Sequence, residues 1–231
     1  MPIAPATRVG SPLIANLSAA NSANLIEQVG NRIKKLRVER GLTLADLSAK
    51  TGLPISTLSK IENGRTALGF DKLTKLAAGL DTEVSDLLQS PDSRAASPME
   101  HAIQPGRRSL TRSDEGLEVK TLLYDYRYVA TDLLKKVMTP MLMSIKTRGP
   151  VEEIELSRHA GEEFIIILEG EITLVTEYYA PVVLQRGDTM YFDARMGHAY
   201  INNGEQNAVL LSISSASAEE LEAARTPSIS E

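Results

Sequence analysis

Cysteine is absent from the 231 residues. That excludes disulfides, zinc–thiolate sites and thiol nucleophiles, and it is compatible with a reducing, cytoplasmic setting. Long apolar runs are missing too: no stretch reaches about eighteen residues, so no transmembrane helix and no membrane partner are expected. Met1 to Asn24 lacks the basic start and apolar centre of a secretory signal. With Arg8 as its single arginine it also makes a poor transit peptide. Its Ala, Ser, Asn and Pro content reads as a disordered tail over residues 1–24. No internal repeat is visible. Histidine is scarce, at three residues, which makes the position of each one informative.

The chain carries a net charge of −5, and that charge is unevenly placed. Between Asn31 and Lys75 there are ten Lys/Arg and four acids, a net +6, which leaves −11 for the remainder. A basic module on an acidic body points to a nucleic-acid partner for the module alone. A solvated, charged helix face would look the same by charge, so the motifs must decide.

Composition divides the chain further. Residues 25–89 show helical spacing of apolar residues. Residues 90–116 are rich in Pro, Ser, Gly and Arg and read as a linker. Residues 117–215 turn strand-like, and the small, acidic end, residues 216–231, reads as a short helix and frayed tail.

In the helical region, Ile26, Val29, Ile33 and Leu36 make one apolar stripe. Gly41 ends that helix. Thr43 opens a short second helix, with Asp46 placed to complete a capping box. Thr51 to Pro54 forms a tight connection, and a third helix runs from Ile55 to about Asn63, with Leu58 and Ile61 inward and Gly64 as terminator. Leu73 to Leu80 and Val84 to Leu88 mark two more helices. Two short helices joined by a glycine-containing turn form a helix-turn-helix, whose second helix presents its N-terminal side chains to the major groove. Those side chains are Ser56, Thr57, Ser59 and Lys60, with Asn63 and Arg65 placed for phosphates.

The stretch GLTLADLSAKTGLPISTLSKIENGRT, Gly41 to Thr66, resembles the phage-repressor-like (lambda-repressor-like, XRE) helix-turn-helix family. The resemblance implies an all-α DNA-binding domain and a double-stranded DNA operator, contacted through Thr43 and the residues just named. One departure is Leu44, where the family often carries Gln.

In the strand-rich region, candidate strands are 119–125, 141–147, 151–157, 164–169, 172–178, 182–184, 189–193, 198–202 and 208–213. So many short strands suggest a jelly-roll or small barrel. Tyr124, Tyr126 and Tyr128 alternate onto one face, fit either for a ligand pocket or for a core or interface stripe. Tyr178 and Tyr179 also lie in this region. Met138, Met141 and Met143 read as core or subunit interface.

SRHAGEEFIIILEGEI, from Ser157, and GDTMYFDARMGHAYIN, from Gly187, resemble the two motifs of the cupin superfamily. By that resemblance the all-β domain is a jelly-roll barrel, and His159, Glu163 and His198 are metal ligands. Ser157 stands where a further histidine is usual and joins the tyrosines in an effector pocket. Two imidazoles and a carboxylate are the ligand set of non-haem iron sites and leave coordination positions open. Alternation turns Glu162 away from Glu163. The alternative to metal binding is a pair of core histidines that hydrogen-bond an organic effector.

These resemblances together imply a non-enzymatic, cytoplasmic, homodimeric transcriptional regulator. Its cupin domain would bind a small-molecule effector with a divalent metal (Fe, Mn, Ni or Zn). The alternative is a metal-dependent cupin oxygenase, similar to the hydroxypropylphosphonic acid epoxidases, which share the domain order. Against it, the substrate-side Asn of that family reads Leu156 here, and the helix-turn-helix is well formed.

Overall fold

The computed structural model describes residues 19–66, 68–88, 106–133 and 136–215. The expected N-terminal tail up to residue 18, most of the linker and the C-terminal segment 216–231 lie outside the described residues. Five helices come first: α1 (Ala19–Glu39), α2 (Leu44–Thr51), α3 (Ile55–Glu62), α4 (Phe70–Gly79) and α5 (Val84–Leu87). Helix α1 begins six residues ahead of the boundary read at Leu25. Its inward stripe is Val29, Ile33 and Leu36, closing on Leu47, Leu58, Ile61, Leu73, Leu76 and Leu80. At Gly30 a Cβ would stand 2.3 Å from the Ile61 carbonyl oxygen, so only glycine lets α1 approach α3 so closely.

The capping box forms as the sequence indicates. The Thr43 hydroxyl accepts from the Asp46 N–H, and the Asp46 carboxylate accepts from the Thr43 N–H. Gly52 ends α2 at φ 70°, a left-handed conformation that costs a residue with a Cβ about 1 kcal/mol. Leu53 then buries its side chain, and Pro54 opens α3.

Nine strands follow: β1 (Leu117–Lys120), β2 (Tyr124–Tyr128), β3 (Met138–Ile145), β4 (Glu162–Glu169), β5 (Glu171–Thr176), β6 (Val182–Gln185), β7 (Thr189–Asp193), β8 (His198–Asn202) and β9 (Ala208–Ser215). They form a six-stranded sheet ordered β1-β2-β3-β9-β4-β7 and a three-stranded sheet ordered β6-β5-β8, with every pairing antiparallel. Two sheets of this kind around apolar side chains are the expected jelly-roll architecture.

Two expected strands are corrected. The stretch 119–125 is not one strand: Thr121 to Leu123 forms a turn in which the Thr121 hydroxyl takes up the Tyr124 N–H, and YDYRY becomes β2. The stretch 151–157 is not a strand either. After Pro150 it makes a short 3-10 turn, Val151–Glu153, and only Ser157 bridges to His198. The fixed φ of Pro150 favours that turn over a ladder.

One continuous apolar cluster runs from α1–α5 into the barrel. Phe70, at the first turn of α4, joins the two parts, its ring packed against those of Tyr128 and His159.

Candidate metal centre and nucleic-acid interface

Strand alternation in β4 sends Glu163, Ile165 and Ile167 inward and leaves Glu162 exposed. The same rule in β8 puts His198 and Tyr200 on one face. His159 arrives from the loop before β4, anchored by its N–H to the Ala194 carbonyl. The three expected ligand residues therefore converge: His159 Nε2 lies 3.0 Å and His198 Nε2 3.6 Å from Glu163 Oε2. All three are buried, and their ligand atoms lie within 4.8 Å of one another.

Hydrogen bonds assign the tautomers. His159 Nδ1 meets the Ala160 carbonyl at 3.1 Å, and His198 Nδ1 meets the Met196 carbonyl at 3.0 Å. Carbonyls only accept, so each Nδ1 carries a proton and each Nε2 is turned toward Glu163, as a lone pair on a neutral ring and as an N–H donor on a protonated one. The carboxylate is oriented as well: Oε1 accepts from the Tyr200 hydroxyl and from Ser212 Oγ, both at 2.7 Å. Oε2 is left for the histidines. Outer contacts of this kind fix metal ligands in place.

The charges are unequal. Burial works to raise the Glu163 pKa, but the His159 hydrogen bond and the two imidazoles outweigh it and hold the carboxyl at about 2. Burial works to lower the His159 pKa, and its contact with Glu163 overcomes this and raises it. For His198 burial prevails and the pKa falls. Without a cation, protonated His159 can donate a hydrogen bond from Nε2 to the Glu163 carboxylate, but neutral His198 faces the same oxygen lone pair to lone pair. A cation resolves that opposition. Ligand atoms around a metal at about 2.0–2.2 Å stand roughly 3 Å apart, so the triad fits a divalent ion with small movements.

Of the expected effector residues, Tyr124, Tyr126 and Ser157 line the cavity above the triad. Tyr128 does not. It is buried beneath, with its ring stacked on Tyr126 at 5.9 Å, and belongs to the core. Tyr178 and Tyr179 are exposed and border a different cavity. Met141 and Met143 are buried, as a core reading requires, whereas Met138 is exposed. Sequence reasoning missed Tyr200, Ser212 and Phe70. Tyr200 is recoverable, since it follows His198 by two residues on a strand. Ser212 and Phe70 carry no local signal.

On the helical domain, Ser56 and Lys60 are exposed, and Thr57 and Ser59 half-exposed, along one side of α3. Exposed Arg65 lies just beyond. The side chains of Lys60 and Arg65 have no ion pair among the described residues. Asn63 is exposed, and its amide donates one N–H to the Ser59 carbonyl at 2.7 Å. Thr43 is exposed but tied into its capping box. Helix α3 is held to α1 by a forked ion pair: Arg37 Nε to Glu62 Oε1 at 2.6 Å and a second guanidinium nitrogen to Oε2 at 2.9 Å. A third Arg37 nitrogen donates to the Leu42 carbonyl at 2.8 Å. Among the described residues no helix is long and apolar enough to cross a membrane.

Comparison with known proteins matches both domains. The helix-turn-helix family matches residues 33–87, and the cupin domain family matches residues 144–214. The HTH-type transcriptional regulator SutR of Escherichia coli is 25% identical over 183 residues, covering 79% of this chain and 92% of that protein. SinR of Bacillus licheniformis is 42% identical over 65 residues, covering 28% of this chain and 59% of that protein. Among solved structures, an HTH_3 family transcriptional regulator from Vibrio cholerae superposes with a TM-score of 0.55 at 21% identity, covering 84% of this chain and 98% of that one. Hydroxypropylphosphonic acid epoxidase from S. wedmorenis gives a TM-score of 0.41 at 22% identity, covering 82% of this chain and 98% of that one, too distant to bear on chemistry. Residues 33–87 therefore belong to the helix-turn-helix family and residues 144–214 to the cupin family, joined in one two-domain chain.

Proposed function

We propose that this chain is a sequence-specific, DNA-binding transcriptional regulator whose cupin barrel binds a small-molecule effector together with a divalent metal. The observation that carries the DNA reading is the side of α3. Small polar groups and Lys60, without an ion pair among the described residues, face solvent there, with Arg65 beside them, on a helix fixed by the Arg37–Glu62 fork. An α3 kept only for packing would have no need of that surface. Similarity to SutR, a transcriptional regulator, over most of both chains supports it.

The protein acts as a homodimer in the cytoplasm. Its operator is a pseudo-palindrome with half-sites about one helical turn, ~34 Å, apart. Ser56, Thr57 and Ser59 read base edges, Lys60 reaches a base edge or phosphate, and Arg65 grips phosphate. His159, Glu163 and His198 hold the metal, which supplies a Lewis-acidic anchor for an electron-rich effector group. Tyr124, Tyr126 and Ser157 shape the space beside it. The barrel senses and does not catalyse.

Selection from a random pool of DNA duplexes tests this reading. Enrichment of a two-fold symmetric site is expected, and recovery of no preferred sequence contradicts it.

A further inference from the structure

The cavity above the triad is not built by the barrel alone. It measures about 590 Å³, within the range of small-molecule sites, and its lining includes Gly69, Phe70, Asp71, Lys72 and Lys75 from the helical domain. Phe70 is 7% exposed, and its ring meets that of His159 edge-on, centroids 4.9 Å apart at 85°. The Tyr126 hydroxyl lies beside the same helix start, 3.5 Å from where a Cβ on Gly69 would stand.

The cations around this cavity differ by origin. Those of the barrel have partners: Arg158 pairs with Glu177 at 2.6 Å and Lys120 with Glu118 at 3.8 Å. Lys72 and Lys75, one turn apart on α4, have no ion pair among the described residues. Helix α4 is locked to α2 in turn, since a Cβ on Gly79 would stand 2.4 Å from Thr51 Cγ2. Helix α4 thus connects Phe70 at its start to the α2–α3 pair at its end.

We propose that the DNA-binding domain supplies one wall of the effector cavity and that Phe70 couples occupancy of the cavity to the placement of the helix-turn-helix. The ligand is a small organic acid. Its electron-rich end lies toward the triad, its apolar body against Phe70 and Tyr126, and an acidic group at Lys72 and Lys75. This rests on the effector-binding reading of the barrel and adds to it both the second domain and the ligand's charge. A ligand that prefers a state with Phe70 displaced shifts the population of DNA-binding geometries, as differential affinity requires.

The chain has no tryptophan, so Phe70→Trp in the full-length protein places one indole at the proposed wall. Val38→Trp, at a position 59% exposed, gives the solvent reference. The indole at position 70 should be quenched by acrylamide at least about threefold less than the one at 38, and its emission should fall when one equivalent of Ni²⁺ binds. Equal acrylamide quenching overturns the shared wall. So does full emission with Ni²⁺ bound, as verified by elemental analysis of the same sample. A variant that takes up no Ni²⁺ counts against the metal reading alone, and the acrylamide comparison still decides the wall.

If Phe70→Trp fails to fold, Lys75→Cys carrying a single fluorophore serves in its place, since Lys75 is exposed. Its emission should drop on Ni²⁺ loading, and an unchanged signal with metal bound overturns the proposal. The ligand class is tested by thermal shift, with short-chain mono- and dicarboxylates compared with their uncharged amides. An acid should raise the wild-type melting temperature where its amide does not. Lys72→Gln with Lys75→Gln should weaken that acid's binding at least tenfold. Equal shifts from acid and amide, no shift from any acid, or an unaffected double variant overturns the assignment of an acidic ligand.

Discussion

Glu62→Ala removes one half of the fork that fixes the recognition helix. The Arg37 and Glu62 side chains are 12% and 4% exposed, so both charges sit largely out of water. Breaking a buried pair from one side typically costs about 3–5 kcal/mol, because the remaining charge stays desolvated. Here Arg37 retains its bond to the Leu42 carbonyl and some solvent, which places the cost near the lower end, at about 3 kcal/mol. Read by the helical signal during urea unfolding, with a slope of about 1–3 kcal/mol per molar, the midpoint should fall by roughly 1.5 M. Replacing both partners together, Arg37→Met with Glu62→Leu, should recover most of the loss, since no orphan charge remains. A loss under about 1 kcal/mol in Glu62→Ala, the level of an exposed pair, refutes the reasoning. A double variant as unstable as the single one refutes it too.

Four further outcomes follow from the barrel. His159→Ala or His198→Ala should abolish stoichiometric metal in elemental analysis, and full retention in either contradicts the triad. Tyr200→Phe and Ser212→Ala, which free Glu163 Oε1, should each weaken metal binding by about 10–100-fold in a competition assay; unchanged affinity contradicts their orienting role. Metal affinity should also rise by about tenfold per pH unit below the raised His159 pKa, because the metal displaces one proton there; pH-independent binding contradicts the assigned protonation. In the metal-free protein, His159 contributes stability that is full below its ordinary 6.5 and is lost as pH rises through its raised value. Glu163 contributes stability above its ordinary 4.5 that is lost as pH falls toward about 2. The pair is thus strongest between pH 4.5 and 6.5, and His159→Gln should flatten the alkaline limb of the stability profile.

The parts legible in the sequence are those encoded by neighbours. Thr43 and Asp46 announce the start of α2 because a capping box spans three residues. Strand alternation separates Glu163 from Glu162 for the same reason. The motifs carried His159, Glu163 and His198, whose ligand atoms the fold brings within 4.8 Å of one another. What the sequence hid is long-range. Arg37 and Glu62 lie 25 residues apart, and nothing near either one marks the pair. Phe70 resembles any apolar residue opening a helix, and its place against His159 depends on how two domains meet. The turn at Thr121 to Leu123 lacks Gly and Pro and is made by a side-chain hydroxyl, so its apolar leucines read as strand.

The central claim is that α3 binds DNA. Fluorescence anisotropy with a labelled duplex, taken across about 50–200 mM salt, tests it most directly for the wild type and for Arg65→Ala and Lys60→Ala. Both variants should bind more weakly, and Arg65→Ala should lower the slope of log affinity against log salt by about 1, as expected for one lost phosphate contact. Affinity and slope identical to wild type in both variants would contradict the account.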